Sequence, residues 1–231
     1  MIKISNVSLK YKNNTSALEN ISLKINQGEF ISIIGPSGCG KTSLLKIISK
    51  LIKPSKGKIL IKDKTSIVFQ DPVLLPWRNV YSNINLPNEI QSSSNTISKE
   101  LELVGLTNFK HNYPGELSGG MKSRVAIARA LTSNTKIILM DEPFASLDEL
   151  KRNKLNLDLL KLQKKLNLTI VFITHSISEA VFLSSRVIIL TKSPGKIKEI
   201  LPINLPQRNL PLKESKKFQE YVRCIREKLE N

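Results

Sequence analysis

The sequence predicts an α/β protein with a mainly parallel central sheet and a small helical lobe, and three observations predict it. Apolar runs recur at residues 29–34, 136–140, 168–173 and 186–191, too uniformly apolar for strands with one wet face. Segments of helical period separate them, the alternation that parallel strands require. The turn after the first run, Gly35-Pro36-Ser37-Gly38-Cys39-Gly40-Lys41-Thr42, fits the phosphate-binding pattern G-x-x-x-x-G-K-[ST] at every fixed position. In such a turn, inward-facing backbone amides and a helix N-terminus enclose an anion.

At 231 residues the chain is long enough to bury a large core, and it is read as one domain, 1–231, with lobes. No apolar run approaches the roughly 18 to 20 residues needed to cross a bilayer, and Met1-Ile2-Lys3 leads straight into a strand pattern. A soluble, cytoplasmic protein is expected. The two cysteines, Cys39 and Cys224, give no disulfide framework, in keeping with a reducing compartment. The net charge of +17 comes mostly from lysines scattered singly. It reads as a solvated basic surface, with an anionic lipid or nucleic-acid partner as the second reading.

Taken in order, residues 2–9 alternate apolar and polar, as do Ile21 to Ile25, which suits strands with one buried face. The polar turn between them holds Tyr11, whose ring either stacks on a base or packs on the core. After the strand at 29–34, Lys41 is placed to reach the β- and γ-phosphates and Thr42 to offer magnesium a hydroxyl, at the start of a helix running to Ile48. Lys53 to Gly57 form a turn, and Lys58 to Lys62 and Ser66 to Phe69 read as short strands. Gln70 ends the second, open to a metal- or water-binding role or to that of an ordinary loop amide. A proline-bounded loop containing Trp77, the single tryptophan, follows.

Residues 79–110 read as polar, interrupted helices, weakest at Gln91-Ser92-Ser93-Ser94-Asn95-Thr96, and the helical lobe extends over about 79–133. Leu117-Ser118-Gly119-Gly120 precedes a helix from Met121 to Leu131, as either a second anion-binding helix start or a simple cap. The strand at 136–140 ends in Asp141 and Glu142, placed to hold magnesium through water and to polarise an attacking water, or else solvated at a strand end. Ser146-Leu147-Asp148 opens a helix to about Leu166. The strand at 168–173 is closed by Thr174 and His175, and a last strand covers 186–191. Beyond it an extended, proline-marked segment leads to an amphipathic helix over about 214–229, making a C-terminal extension of about 192–231.

With these motifs in this order, the chain resembles an ATP-binding cassette transporter ATPase over almost its whole length. Val68-Phe69-Gln70-Asp71 with Leu74-Leu75-Pro76-Trp77, and the short extension with Lys192-Ser193-Pro194-Gly195, is similar to the nitrate, sulfonate, taurine and bicarbonate importer group. Thiamine- and riboflavin-precursor importers share the pattern. The resemblance implies a P-loop NTPase fold that adds an antiparallel β lobe near the adenine. It implies that Tyr11, Gly35 to Thr42 and Ser43 bind ATP, together with Ser118, Gly119, Gly120 and Asp148 from a second copy. It implies magnesium at Thr42, Gln70 and Asp141, and catalysis by Glu142, His175, Lys41 and Gln70.

The partners implied are membrane permease subunits, a head-to-tail second copy and, indirectly, a periplasmic or lipoprotein solute-binding protein, at the cytoplasmic face of a bacterial cell membrane. An exporter ATPase shares the catalytic motifs. A nucleic-acid-associated cassette is opposed by the single compact cassette without long insertions, so no nucleic-acid partner is expected. Three departures stand out: Met121 in place of Gln, a short segment between Gly57 and Gln70 that implies a trimmed β lobe, and Ser185 at a position often acidic.

Overall fold

The computed structural model describes residues 1–12, 14–93, 96–145, 147–206 and 208–230. In chain order these form β1 (Ile2–Lys10), β2 (Ser16–Ile25), β3 (Phe30–Ile34), α1 (Lys41–Ile48), β4 (Lys56–Ile61), β5 (Thr65–Val68), α2 (Val80–Ile90), α3 (Ser98–Leu103), α4 (Gly119–Thr132), β6 (Ile137–Asp141), α5 (Glu149–Leu166), β7 (Thr169–Ile173), α6 (Ile177–Leu183), β8 (Arg186–Leu190), β9 (Ile197–Pro202) and α7 (Lys216–Glu230). Ser94, Asn95 and Ser146, singled out in the sequence, lie outside the described residues.

A six-stranded sheet, ordered β5-β6-β7-β3-β8-β9, forms the centre, and every pairing in it is parallel except β8 with β9. It divides two apolar cores, which explains why its strands read as continuous apolar runs. In β3, Phe30 and Ile34 face one core while Ile31 and Ile33 face the other. Ile138, Met140, Ile170 and Phe172 join the first, and Ile137, Leu139, Val171 and Ile173 the second. The second core is closed by α1 and by an antiparallel sheet ordered β2-β1-β4. The first is closed by the remaining helices.

Several elements depart from the expectation, each for a local reason. The alternation of residues 2–9 changes parity inside β1: Ile2 and Ile4 are buried, then Val7 and Leu9, with a bulge at Asn6, whose φ is 51°. The second strand starts at Ser16 rather than Ile21, and Asn20 at φ 52° breaks its alternation in the same way. The short segment after Gly57 divides, giving β4 to the antiparallel sheet and β5 to the parallel one. Residues 177–183, not anticipated as a helix, form α6 with Ser176 as its cap, the Ser176 hydroxyl accepting from the Glu179 amide at 3.3 Å.

Residues 197–202 are a strand and not an extended tail. They pair antiparallel with β8 from Leu190–Ile197 to Arg186–Pro202, and Pro202 is tolerated because this is a sheet edge. The C-terminal extension enters the first core through Ile203, Leu212, Phe218 and Ile225. In the helical lobe, buried Asn83 holds the Trp77 loop, its amide donating to the carbonyls of Leu75, Arg78 and Asn79. Arg129 of α4 donates to the carbonyls of Pro72 and Val73, so the loop after Gln70 is tied to the lobe.

Candidate active site

Strand order and register bring the separated motifs together. β6, β7 and β3 are adjacent, and Asp141, Ile173 and Ile33 lie at one level across them. Glu142, His175 and Gly35 are therefore one or two residues beyond the same sheet edge. The carboxyl ends of parallel strands are where such sheets hold ligands. A cleft of about 310 Å³ opens there, between the turn after β3, the β1–β2 turn and the ends of β6 and β7.

The floor of the cleft is the phosphate loop. Ser37, Gly38, Gly40, Lys41, Thr42 and Ser43 line it, and Lys41, Thr42 and Ser43 form the first turn of α1, whose amides have no partners within the helix. Gly40 is the start of that helix at φ 97°, and a Cβ there would stand 2.6 Å from the Ala17 carbonyl oxygen. Only glycine meets both conditions. The Lys41 ammonium donates to the carbonyls of Gly35 at 2.8 Å and Pro36 at 2.9 Å, which fixes the lysine against its own loop. Tyr11 stands at the rim, half-exposed, with its hydroxyl 2.8 Å from Ser43 Oγ.

The wall carries Glu142 and His175. The Glu142 amide donates to the Ile173 carbonyl at 3.0 Å, and the residue then turns into the left-handed region at φ 48°. For a residue with a side chain this costs on the order of 1–2 kcal/mol. The turn carries its carboxylate to His175, whose Nε2 lies 2.6 Å from Glu142 Oε1. The carboxylate is 15% exposed and the imidazole 50%, so the pair spans cleft and solvent.

Other sequence-predicted residues fall outside the cleft lining. Asp141 is buried at the end of β6. Gln70 is exposed two residues beyond β5. Ser118 caps α4, accepting from the Met121 amide at 3.4 Å, with Gly119 exposed beside it. Asp148 caps α5, accepting from the Lys151 amide at 3.0 Å and pairing with its ammonium at 2.7 Å. These bonds hold its carboxyl below the usual range. Thus neither Ser118-Gly119-Gly120 nor Asp148 lines the cleft over the phosphate loop.

Cys39 needs correction. Its place beside Lys41 at a helix start suggests an exposed thiolate, but the side chain is fully buried against Gly35. Burial pushes the thiol up, outweighing the pull of Lys41. Its side chain packs in the core beneath the loop, so any ligand contact from Cys39 is through backbone. Conversely, Thr15, Ala17 and Ser193 line the cleft without having been singled out for it. The Ser193 hydroxyl donates to the Ser16 carbonyl at 3.2 Å, a contact between residues far apart in sequence that no local pattern announces. Ser185, where an acidic residue is frequent, donates from both amide and hydroxyl to the Phe30 carbonyl.

The donor set suits a hard cation: the Thr42 hydroxyl is in the cleft and the Asp141 carboxylate lies at the neighbouring sheet edge. Among the described residues no cluster of three or more His, Cys, Asp or Glu holds a metal unaided. A magnesium ion here would draw on hydroxyl, water and phosphate oxygens. No helix among the described residues is long and apolar enough to cross a membrane.

Residues 18–145 match the family described as ABC transporter. The chain is 37% identical over 242 residues to the aliphatic sulfonates import ATP-binding protein SsuB of Bacillus cereus, covering 99% of this chain and 96% of that one. It is 44% identical over 209 residues to the nitrate import ATP-binding protein NrtC of Synechocystis, covering 83% of this chain and 31% of that larger protein. The dimeric post-hydrolysis structure of the ATP-binding cassette MJ0796 bound to ADP and Pi superposes with a TM-score of 0.77. It is 33% identical, and the match covers 89% of this chain and 100% of that one.

Proposed function

We propose that this chain, which belongs to the ABC transporter family, is the ATP-hydrolysing subunit of an importer that takes up a small anionic nutrient, working at the cytoplasmic face of a bacterial cell membrane. It is an ATPase of the importer type, and the similarity to sulfonate- and nitrate-import proteins supports an oxyanion such as nitrate, a sulfonate or taurine as the solute. The observation that carries the hydrolytic reading is the Glu142–His175 pair standing over the phosphate loop in one cleft.

Phosphoryl transfer to water asks for positioning and charge neutralisation more than covalent help. The amides of the loop and the Lys41 ammonium hold the β- and γ-phosphates, and the Tyr11 ring at the rim supports the adenine. Glu142 is the general base that accepts a proton from the attacking water. His175, already on Glu142, holds the carboxylate and water in register and reaches the γ-phosphate. Thr42, Asp141 and Gln70 are the residues that would hold magnesium, which would supply charge neutralisation for the phosphates. Gln70 connects this site to the Trp77 loop, where Trp77 is 72% exposed and available to permease subunits.

Because Ser118, Gly119, Gly120 and Asp148 do not line the cleft, they complete the site of a second copy in a head-to-tail dimer. A solute-binding protein then selects the solute. The dimer is tested with mixed lesions: Lys41→Ala in one chain and Ser118→Arg in the other leave one composite site intact. Vanadate trapping of nucleotide should reappear in a purified mixed dimer with its membrane subunits. Trapping no higher than in either mutant homodimer would count against the shared site. Measuring the ligand held by the partner binding protein identifies the solute, and a ligand without a nitrate, sulfonate or similar oxyanion group would contradict the reading.

A further inference from the structure

His175 sits between Thr174 and Ser176, and Glu179 bonds both, the first through its carboxylate and the second through its amide. Thr174, 4% exposed, donates its hydroxyl to Glu179 Oε2 at 2.5 Å and accepts from the Ser176 amide at 3.0 Å. Glu179 is 5% exposed, and its other oxygen accepts from buried Asn156 of α5 at 3.5 Å. In an ordinary capping box the third helical residue returns its carboxylate to the cap amide. Here Thr174 takes that amide, and the Glu179 carboxylate is turned onto Thr174 and α5 instead. Helix capping alone does not require this, and burying a carboxylate is costly without a cation in reach.

A cation of the C-terminal extension packs against the same helix. Lys213 Nζ lies 5.2 Å from the ring centre of Phe182, one turn along α6 from Glu179, and donates to Asn153 of α5 at 2.5 Å. Burial lowers its proton affinity, and Glu149 and Glu179 raise it. Leu212, Phe218 and Ile225 anchor the segment in the core that contains Phe182, and Arg208 donates to the Ser184 carbonyl at the far end of α6 at 2.9 Å. The segment thus grips the helix that begins two residues after His175.

We propose that Glu179 is a positioning residue for His175 and that Lys213 makes the C-terminal extension part of that support, so that the packing of the extension sets the rate of ATP hydrolysis. This rests on the role assigned to His175 above. Displacing a reacting group by a fraction of an ångström lowers the rate while leaving phosphate contacts on the loop untouched.

The test uses the full chain, measuring kcat and KM for ATP, nucleotide affinity and thermal melting. Glu179→Gln should lower kcat roughly tenfold and Lys213→Met about threefold, with KM unchanged, and Lys213→Arg should restore the rate. In a His175→Ala background neither Glu179→Gln nor Lys213→Met should lower the remaining rate further, which a merely structural role would not produce. Lys213→Met, at a partly exposed site, keeps the test available if Glu179→Gln fails to fold. Unchanged kcat in a folded Glu179→Gln or Lys213→Met protein, or equal losses with and without His175, would overturn the inference while His175→Ala remained impaired. Wild-type turnover by His175→Ala would instead remove the role on which the inference rests.

Discussion

Replacing Gly195 with Ala should loosen the phosphate loop from a distance in sequence of more than 150 residues. Gly195 is pinned to β2 by its amide, which donates to the Ala17 carbonyl at 3.0 Å, and by its carbonyl, which accepts from the Glu19 amide at 3.0 Å. On its other side a Cβ would stand 2.1 Å from the Cys39 carbonyl oxygen, where real Cβ contacts do not fall below 3.0 Å. Either two hydrogen bonds to β2 break or the Cys39–Gly40 peptide moves by about 1 Å, a displacement that costs up to about a hundredfold in rate at a reacting centre. The loss of one charge-assisted amide contact to phosphate, about 1.5–3 kcal/mol, corresponds to roughly 10- to 100-fold in affinity. Titration with a fluorescent ATP analogue should show this weakening. Gly115→Ala, which meets nothing within 4 Å, should be neutral. A Gly195→Ala protein with wild-type affinity and turnover would refute the contact.

Four further outcomes follow from the same geometry. Under native conditions maleimide should label Cys224, which is partly exposed, and spare buried Cys39 until the protein unfolds; rapid native labelling of Cys39 would contradict its burial. Because burial raises the Cys39 thiol in the folded state, its contribution to stability is full below the unfolded value, about 8.5, and is lost as pH rises through the folded value. Alkaline destabilisation measured by urea titration should therefore shrink in Cys39→Ala. Arg186 clasps Glu29 with two contacts at 2.5 and 2.9 Å, joining β8 to the start of β3, so Arg186→Ala should cost about 1.5–3 kcal/mol by denaturant titration. Phe172, fully buried with ring centres of Phe30 and Phe144 each 6.0 Å away, should cost about 3–5 kcal/mol on replacement by Ala.

The parallel sheet was legible because both its faces are buried, which leaves β3, β6, β7 and β8 as uninterrupted apolar words. The phosphate loop was legible because its chemistry is contiguous, from Gly35 to Thr42. What escaped was set by tertiary packing. The segment forming β9 carries Lys198 and Glu199 on an edge and gains its conformation from pairing with β8. Helix α6 is only seven residues long, too short to declare a period, and depends on the Thr174, Ser176 and Glu179 bonds. Cys39 was misjudged because position along a loop does not say which way a side chain turns. That Ser118 and Asp148 do not line the cleft is likewise absent from the order of motifs, since chain order is the same whether a site closes within one copy or between two.

The proposed mechanism turns on Glu142 as the base acting on water over the phosphate loop. The most direct measurement is paired, following ATP binding and ATP turnover in purified Glu142→Gln protein, which keeps the shape of the side chain and removes its basicity. Turnover should fall by about two or more orders of magnitude while ATP still binds. Near-normal turnover in a folded Glu142→Gln protein would contradict the account.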